Sequence, residues 1–233
     1  MSDINSGKMS DRVLEFYNKH PYPPPVESLD ANGNNRQDKC RRKSDFFLFW
    51  PAKSFSEELD ILVAGCGTSQ AAKYALKYPG SRIIGIDFSA TSIQETEILK
   101  REYALENLVL LQMQVERAEE LHQQFDLVIC TGVLHHLPDP KEGLRSLRKV
   151  LKPDGALHLM VYAAYGRVGV YMIQEYCRRL GIGSSDKEII DLANTLMAIP
   201  QDHPLARLLA EAPDFRRKSA LADALLNPLD QAY

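Results

Sequence analysis

The chain has 233 residues, 45% of them hydrophobic and 25% charged, with a formal charge of −3. That length is one ordinary domain with an appendage, long enough to bury a large core, and the composition is average for a globular protein. The acidic balance argues against a phosphate backbone as the main partner, and no apolar run reaches the length of a membrane helix.

In chain order, Met1 to Ser10 is too polar to be expected to fold, and Asp11 to Lys19 is expected to form a short helix. His20-Pro21-Tyr22-Pro23-Pro24-Pro25 must be extended, because proline excludes the helix and restrains the residue before it. Ser28 to Ser44 reads as a polar loop. Its basic run, Lys39 to Lys43, reads as a solvated charge cluster, with a phosphate or RNA contact as the alternative. Phe46 to Trp50 is a dense apolar cluster expected against a sheet.

From Leu59 the pattern turns to alternating strands and helices. Strands are expected at 60–65, 82–87, 108–113, 125–131 and 156–163, and helices near 69–78, 90–105, 116–122 and 141–151. DILVAG and FDLVICT are nearly unbroken apolar runs, as in strands covered on both faces. Such alternation predicts an α/β fold with a parallel sheet and a ligand site at the carboxyl ends of its strands. After Ala163 the segments 166–180, 186–197, 204–212 and 215–226 read as helices punctuated by Pro and Gly.

Chemistry concentrates at the first strand's end. LDILVAGCGT, Leu59 to Thr68, is a buried strand running into a glycine turn, and GID, Gly85 to Asp87, ends the second strand in an acid. Glycines let a backbone approach a ligand where a Cβ would collide, and the acid accepts hydrogen bonds from ribose hydroxyls. The turn runs Gly65-Cys66-Gly67-Thr68-Ser69-Gln70, so Gln stands where a dinucleotide fingerprint has its third glycine. A cofactor without a pyrophosphate, such as S-adenosylmethionine, does not need that glycine.

With Phe125 to Pro140, FDLVICTGVLHHLPDP, and Leu151 to Ala163, LKPDGALHLMVYA, the chain resembles the class I S-adenosylmethionine-dependent methyltransferases between about Glu58 and Ala163. The resemblance implies a Rossmann-like methyltransferase fold with strand order 3-2-1-4-5, and S-adenosyl-L-methionine as cofactor. It assigns Asp87 to the ribose, and Gly65, Cys66, Gly67 and Thr68 to the methionine tail. Val115 and Glu116 fall at the adenine, with Phe88 over the ring or in the core. Thr131 to His136, including Gly132, would close the pocket beneath the sulfonium. His135 or His136 could supply a base, although an HH pair marks the fold as much as the reaction. Tyr17 and Tyr22, on a segment folding over the cofactor, have hydroxyls that could reach the methionine carboxylate or the acceptor. Glu116 as a helix-opening acid and Asp87 as a helix cap are the bland alternatives, with Ser89 the better cap.

The expected organisation is a cap and linker over 1–57, a cofactor-binding core over 58–164 and a helical tail over 165–233. The family's last two strands have no match in that tail, which suggests either a substrate-binding insertion or a fragment of a longer protein. The acceptor is expected to be a small molecule, with protein or RNA as alternatives and the oligomeric state open. Two other functions compete: a non-catalytic methyltransferase-like interaction protein, and an NAD-dependent oxidoreductase. No His, Asp or Glu cluster has metal-ligand spacing. Cys40, Cys66, Cys130 and Cys177 are scattered, as in a reducing cytoplasm.

Overall fold

A computed structural model describes residues 2–26, 28–29, 39–211, 215 and 218–233. Five parallel strands, β1 (Asp60–Ala64), β2 (Arg82–Asp87), β3 (Leu108–Gln112), β4 (Phe125–Thr131) and β5 (Leu151–Met160), form one sheet in the order β3-β2-β1-β4-β5. Side chains alternate across it. Ile61 and Val63 join a core with Phe46, Trp50, Ala71 and Leu99 on one face, while Leu62 and Ala64 join Val115, Leu147 and Val150 on the other. Both faces are covered, which is why β1 and β4 read as apolar throughout.

The first face carries α2 (Lys39–Phe49), α3 (Gln70–Lys77) and α4 (Ala90–Glu102). The second carries α5 (Pro140–Lys149) and a 3-10 turn over Val115–Leu121. Local chemistry starts these helices. Ser89 caps α4 by accepting the Ser92 N–H at 3.2 Å, and Asp139 caps α5 ahead of Pro140. At the strands' starts, Lys152 Nζ lies 3.1 Å from Asp60 Oδ2 and 2.8 Å from Asp126 Oδ2.

Beyond the sheet lie α6 (Val168–Arg179), α7 (Asp186–Met197), α8 (Ala206–Glu211) and α9 (Lys218–Leu226). Ser185 and Glu188 close a capping box on α7. The tail has its own core, in which Val170, Ile173, Leu192 and Leu221 pack with Phe16 of α1 (Ser2–Lys19). Among the described residues no sixth or seventh strand follows β5, although the chain end meets the segment after β5: the Tyr233 N–H donates to the Tyr162 carbonyl at 3.0 Å, and the Ala164 N–H to the Tyr233 carbonyl at 2.9 Å.

Three sequence expectations need correction. The first helix starts at Ser2, not Asp11. The basic run opens α2 instead of lying in a loop, with Arg42 buried and bonded to Glu57 at 2.7 Å and Lys39 at 3.2 Å from the same carboxylate. The rest of the expected polar loop, 30–38, lies outside the described residues. Strand β5 begins at Leu151, because an irregular register between Phe125 and Leu127 steps the pairing from Leu151 to Ala156 and takes Pro153 and Gly155 out of the ladder. No helix among the described residues is long and apolar enough to cross a membrane.

Candidate functional site

The carboxyl ends of β1, β2 and β4 open into a cavity of about 420 Å³, within the range of ligand pockets. Its floor is the glycine turn. Gly65 and Gly67 have φ of +69° and +54°, in the left-handed region. The N–H groups of Gly65 and Cys66 both donate to the Ile86 carbonyl, at 2.8 and 2.9 Å, fastening the turn to β2. A Cβ on Gly65 would lie 2.3 Å from Val133, and one on Gly67 would lie 2.8 Å from both the Tyr22 carbonyl oxygen and Pro23 Cδ. The turn is therefore pressed between Val133, in the turn after β4, and the proline-rich strap of His20 to Pro25.

Asp87, at the end of β2, is 7% exposed. Its Oδ2 accepts the Gly67 N–H at 2.8 Å and its Oδ1 accepts the Ser89 N–H at 2.9 Å. One carboxylate thus joins the glycine turn to the start of α4, leaving further lone pairs for a ligand. Ser89, not Asp87, caps the helix.

Burial pushes the Asp87 carboxyl up to about 6, against the two backbone donors that pull it down. Only the carboxylate can accept from those donors and from a ribose together. If Asp87 takes a ribose, as the family resemblance implies, cofactor affinity should be level above about pH 7 and fall about tenfold for each unit below about pH 6. Titrations at about pH 7.5 and about pH 5 check this; equal affinities would show that the charge plays no part. The free fold moves the other way. A carboxyl raised above its unfolded value favours folding at low pH, and that contribution is lost as pH rises from about 4 to about 6.

The strap lies across the turn. Thr68 Oγ1 donates to the Pro23 carbonyl at 2.7 Å, and His20 Nε2 donates to the Ser184 carbonyl at 2.7 Å, tying the strap to the tail as well. Thr68 is fully buried and does not line the cavity, whereas Gly65, Cys66 and Gly67 do. Burial, then the nearby Asp87 charge, push the Cys66 thiol well up, so it stays protonated and unreactive.

Tyr17 and Tyr22 both line the cavity. The Tyr17 hydroxyl is already engaged: it donates to Asp223 Oδ1 at 2.7 Å and accepts from Asn227 Nδ2 at 3.0 Å. Burial, then the Asp223 charge, hold its pKa well above the ordinary tyrosine value. Its ring meets Phe88 and His136 edge-on, with centroids at 6.0 and 5.9 Å. Val115, Glu116 and Phe88 form one wall, and burial raises the Glu116 carboxyl. Thr131 and Gly132 line the opposite end.

The two adjacent histidines differ. His136 lines the cavity, and its Nδ1 donates to the Leu229 carbonyl at 2.7 Å. His135 is fully buried and does not line the cavity. It stacks on Tyr162 at 3.8 Å between centroids, and neither ring nitrogen has a partner among the described residues. Burial, then the neighbouring His136 and Arg167, lower its pKa to about 3, so the ring is neutral.

One ligand atom each from His135, His136 and Asp230 lie within 4.8 Å of one another, a cluster that sequence spacing did not reveal. His136 Nδ1 and Asp230 Oδ2 already have partners, Leu229 and Gln174. The Arg167 guanidinium, 3.6 Å above the Tyr162 ring, disfavours positive charge beside His135. Asp230 Oδ1 and both His135 ring nitrogens have no hydrogen-bond partner among the described residues, so the cluster is only partly tied into hydrogen bonds.

Sequence reasoning missed Gln70 as a functional residue. It appeared only as the place of an absent glycine, yet its amide donates to Thr131 Oγ1 at 2.6 Å and closes the cavity beside α3. Nothing marked Leu229 either, which reaches the site only through the fold.

The family model described as a methyltransferase domain matches residues 62–157. An uncharacterized protein of Synechococcus sp. is 38% identical over 170 residues, covering 72% of this chain and 40% of that protein. The ubiquinone biosynthesis O-methyltransferase of Haemophilus ducreyi is 30% identical over 107 residues, covering 42% of this chain and 43% of that enzyme. The structure of PKMT2 from Rickettsia typhi in complex with AdoHcy superposes with a TM-score of 0.65 at 19% identity, over 91% of this chain and 42% of that one. The last is a likeness of fold. The chain spans less than half the length of each of these proteins.

Proposed function

We propose that this chain, which carries a class I S-adenosylmethionine-dependent methyltransferase domain, transfers a methyl group to a small-molecule acceptor by direct displacement. S-adenosylmethionine is the domain's cofactor, and when bound it supplies an electrophilic methyl on a good leaving group.

The observation that carries this reading is Asp87, buried at the cavity floor and held at both oxygens by backbone N–H groups. A ribose offers two hydroxyls to such a carboxylate, and the glycine turn leaves room for a methionine tail. Gln70, bonded to Thr131, occupies the place of the glycine that a dinucleotide would need. Val115 and Glu116 form the adenine wall, with Glu116 as acceptor for the exocyclic amine. Tyr17 contributes its ring, since its hydroxyl is engaged with Asp223.

Displacement at a methyl group needs close alignment and, for a protic nucleophile, a base. His136 is placed for the second task. A carbonyl can only accept, so the bond to Leu229 puts a proton on Nδ1, and in the neutral ring this leaves the lone pair on Nε2 of a ring that lines the cavity. Tyr22, on the strap, stands at the same cavity as a contact for the acceptor. His135 lies behind the cavity wall and supports His136 by packing, their centroids 4.1 Å apart.

Calorimetric titration with S-adenosylhomocysteine, with NADH as control, tests the cofactor site; binding of NADH alone would overturn the reading. Incubating the chain with S-adenosylmethionine and a panel of hydroxylated and amino small molecules, following S-adenosylhomocysteine release, then identifies the acceptor. On that acceptor, His136→Gln is expected to lower turnover about a hundredfold while leaving S-adenosylhomocysteine affinity within about twofold. Full turnover would remove His136 from the chemistry.

A further inference from the structure

The turn that presents His136 is gripped from outside the cavity by the segment after α9. The Gln231 N–H donates to the His135 carbonyl at 2.9 Å, and its side-chain amide donates to the Leu137 carbonyl at 2.8 Å. Between these two bonds the Leu229 carbonyl takes the Nδ1 proton of His136 at 2.7 Å. Asn227 places that carbonyl: its Oδ1 accepts the Leu229 N–H at 3.1 Å, while its amide donates to the Tyr17 hydroxyl at 3.0 Å and to Asp223 Oδ1 at 3.2 Å. Neither Asn227 nor Gln231 lines the cavity.

The chemistry of this grip is specific. In water a neutral histidine favours the proton on Nε2, which would leave a donor, not a base, facing the acceptor. A backbone carbonyl at Nδ1 reverses that preference. Carbonyls cannot be altered by side-chain evolution, so their placement falls to the residues that bend the chain around them. Here those are Asn227, which ties Leu229 back to the end of α9, and Gln231, which ties the following residues to both sides of His136.

We propose that Asn227 and Gln231 are positioning residues that hold the Leu229 carbonyl on His136 and thereby fix the ring with its lone pair on Nε2. The role of that lone pair rests on the reading of His136 as the proton acceptor; the tautomer itself does not. The tail thus does more than build its own core: residues 227–231 set the protonation pattern of a side chain in the cavity wall.

Long-range proton–nitrogen correlation spectra of the whole chain resolve the tautomer of each of its six histidines, and His136 is assigned by the signal lost in His136→Gln. The expected parent spectrum has His136 protonated on Nδ1. In Gln231→Ala and Gln231→Glu, which lose the bond to Leu137, the population is expected to move to mainly Nε2–H. Gln231→Lys, whose ammonium can still donate to that carbonyl, is expected to restore the parent pattern. A structural role alone would lower the melting temperature in these variants without moving the tautomer. S-adenosylhomocysteine affinity is expected to stay within about twofold in all of them, because the bonds lost are remote from Asp87 and the glycine turn. A parent ring protonated on Nε2, or an unchanged ring in both losing variants, would overturn the proposal. Failure of the parent to bind S-adenosylhomocysteine would instead strike the functional reading and leave the tautomer result standing.

Discussion

Asp87→Ala is expected to weaken S-adenosylhomocysteine binding about a hundredfold or more, roughly 3 kcal/mol, in a calorimetric titration. The magnitude follows from what one carboxylate does. It would accept from ribose hydroxyls in a buried site, where a charge-assisted bond contributes more than it would in water. It also holds the Gly67 N–H at 2.8 Å and the Ser89 N–H at 2.9 Å, so its loss frees the glycine turn and the start of α4 together. Asp87→Asn separates these roles. The amide keeps the shape and one accepting oxygen but turns its NH₂ toward one of two backbone donors, so an intermediate loss of about tenfold is expected. Unchanged affinity in Asp87→Ala would remove Asp87 from the cofactor site, and with it the observation on which the functional reading rests.

Asp87 was legible because its position follows from order alone. A buried strand, a glycine turn, a helix and a second strand bring the chain back to the turn, and an acid there can meet both the turn and a ligand. The alternating faces of β1 and β4 were legible for a related reason: covering on both sides removes polar residues from the whole run. The start of β5 was not. Pro153 and Gly155 read as punctuation, but the irregular pairing between Phe125 and Leu127 sets them outside the ladder, and no sequence period records a bulge. Helix α1 was foreshortened because the first ten residues are polar, whereas Val13 and Phe16 farther along bury their side chains and Phe16 packs into the tail core. The basic run at Lys39 is solvated, as its charge implies, except at Arg42, whose partner Glu57 lies beyond the helix that the run itself opens. Least legible of all was the contact between Gln231 and Leu137, made across 94 residues. Short-range patterns reveal a helix or a turn; they carry no information about which carbonyl a distant segment will present.

The second large effect is expected at Gly67, and Gly132 provides its control. Gly67→Ala should lower stability by about 2–4 kcal/mol, read as a drop in melting temperature, and should abolish measurable S-adenosylhomocysteine binding. Two costs combine. A left-handed φ of +54° disfavours any residue with a Cβ, by about 1–2 kcal/mol. The new methyl would also lie 2.8 Å from the Tyr22 carbonyl oxygen and from Pro23 Cδ, atoms of a proline-stiffened backbone that cannot swing aside as a flexible side chain can. Relief requires the strap to lift, which breaks the Thr68 bond to the Pro23 carbonyl and carries Tyr22 away from the cavity wall. Gly132 has φ of +77°, yet a Cβ there would meet only Met160 Cε, at an ordinary 3.7 Å. Gly132→Ala should therefore show the backbone cost alone, about 1–2 kcal/mol. The difference between the two variants isolates the contact between strap and turn. If Gly67→Ala loses no more stability than Gly132→Ala and still binds S-adenosylhomocysteine, the strap yields freely and only covers the cofactor site. If the expected gap appears, the strap is a fixed wall of that site, and the N-terminal segment belongs to the cofactor cradle as fully as the strands beneath it.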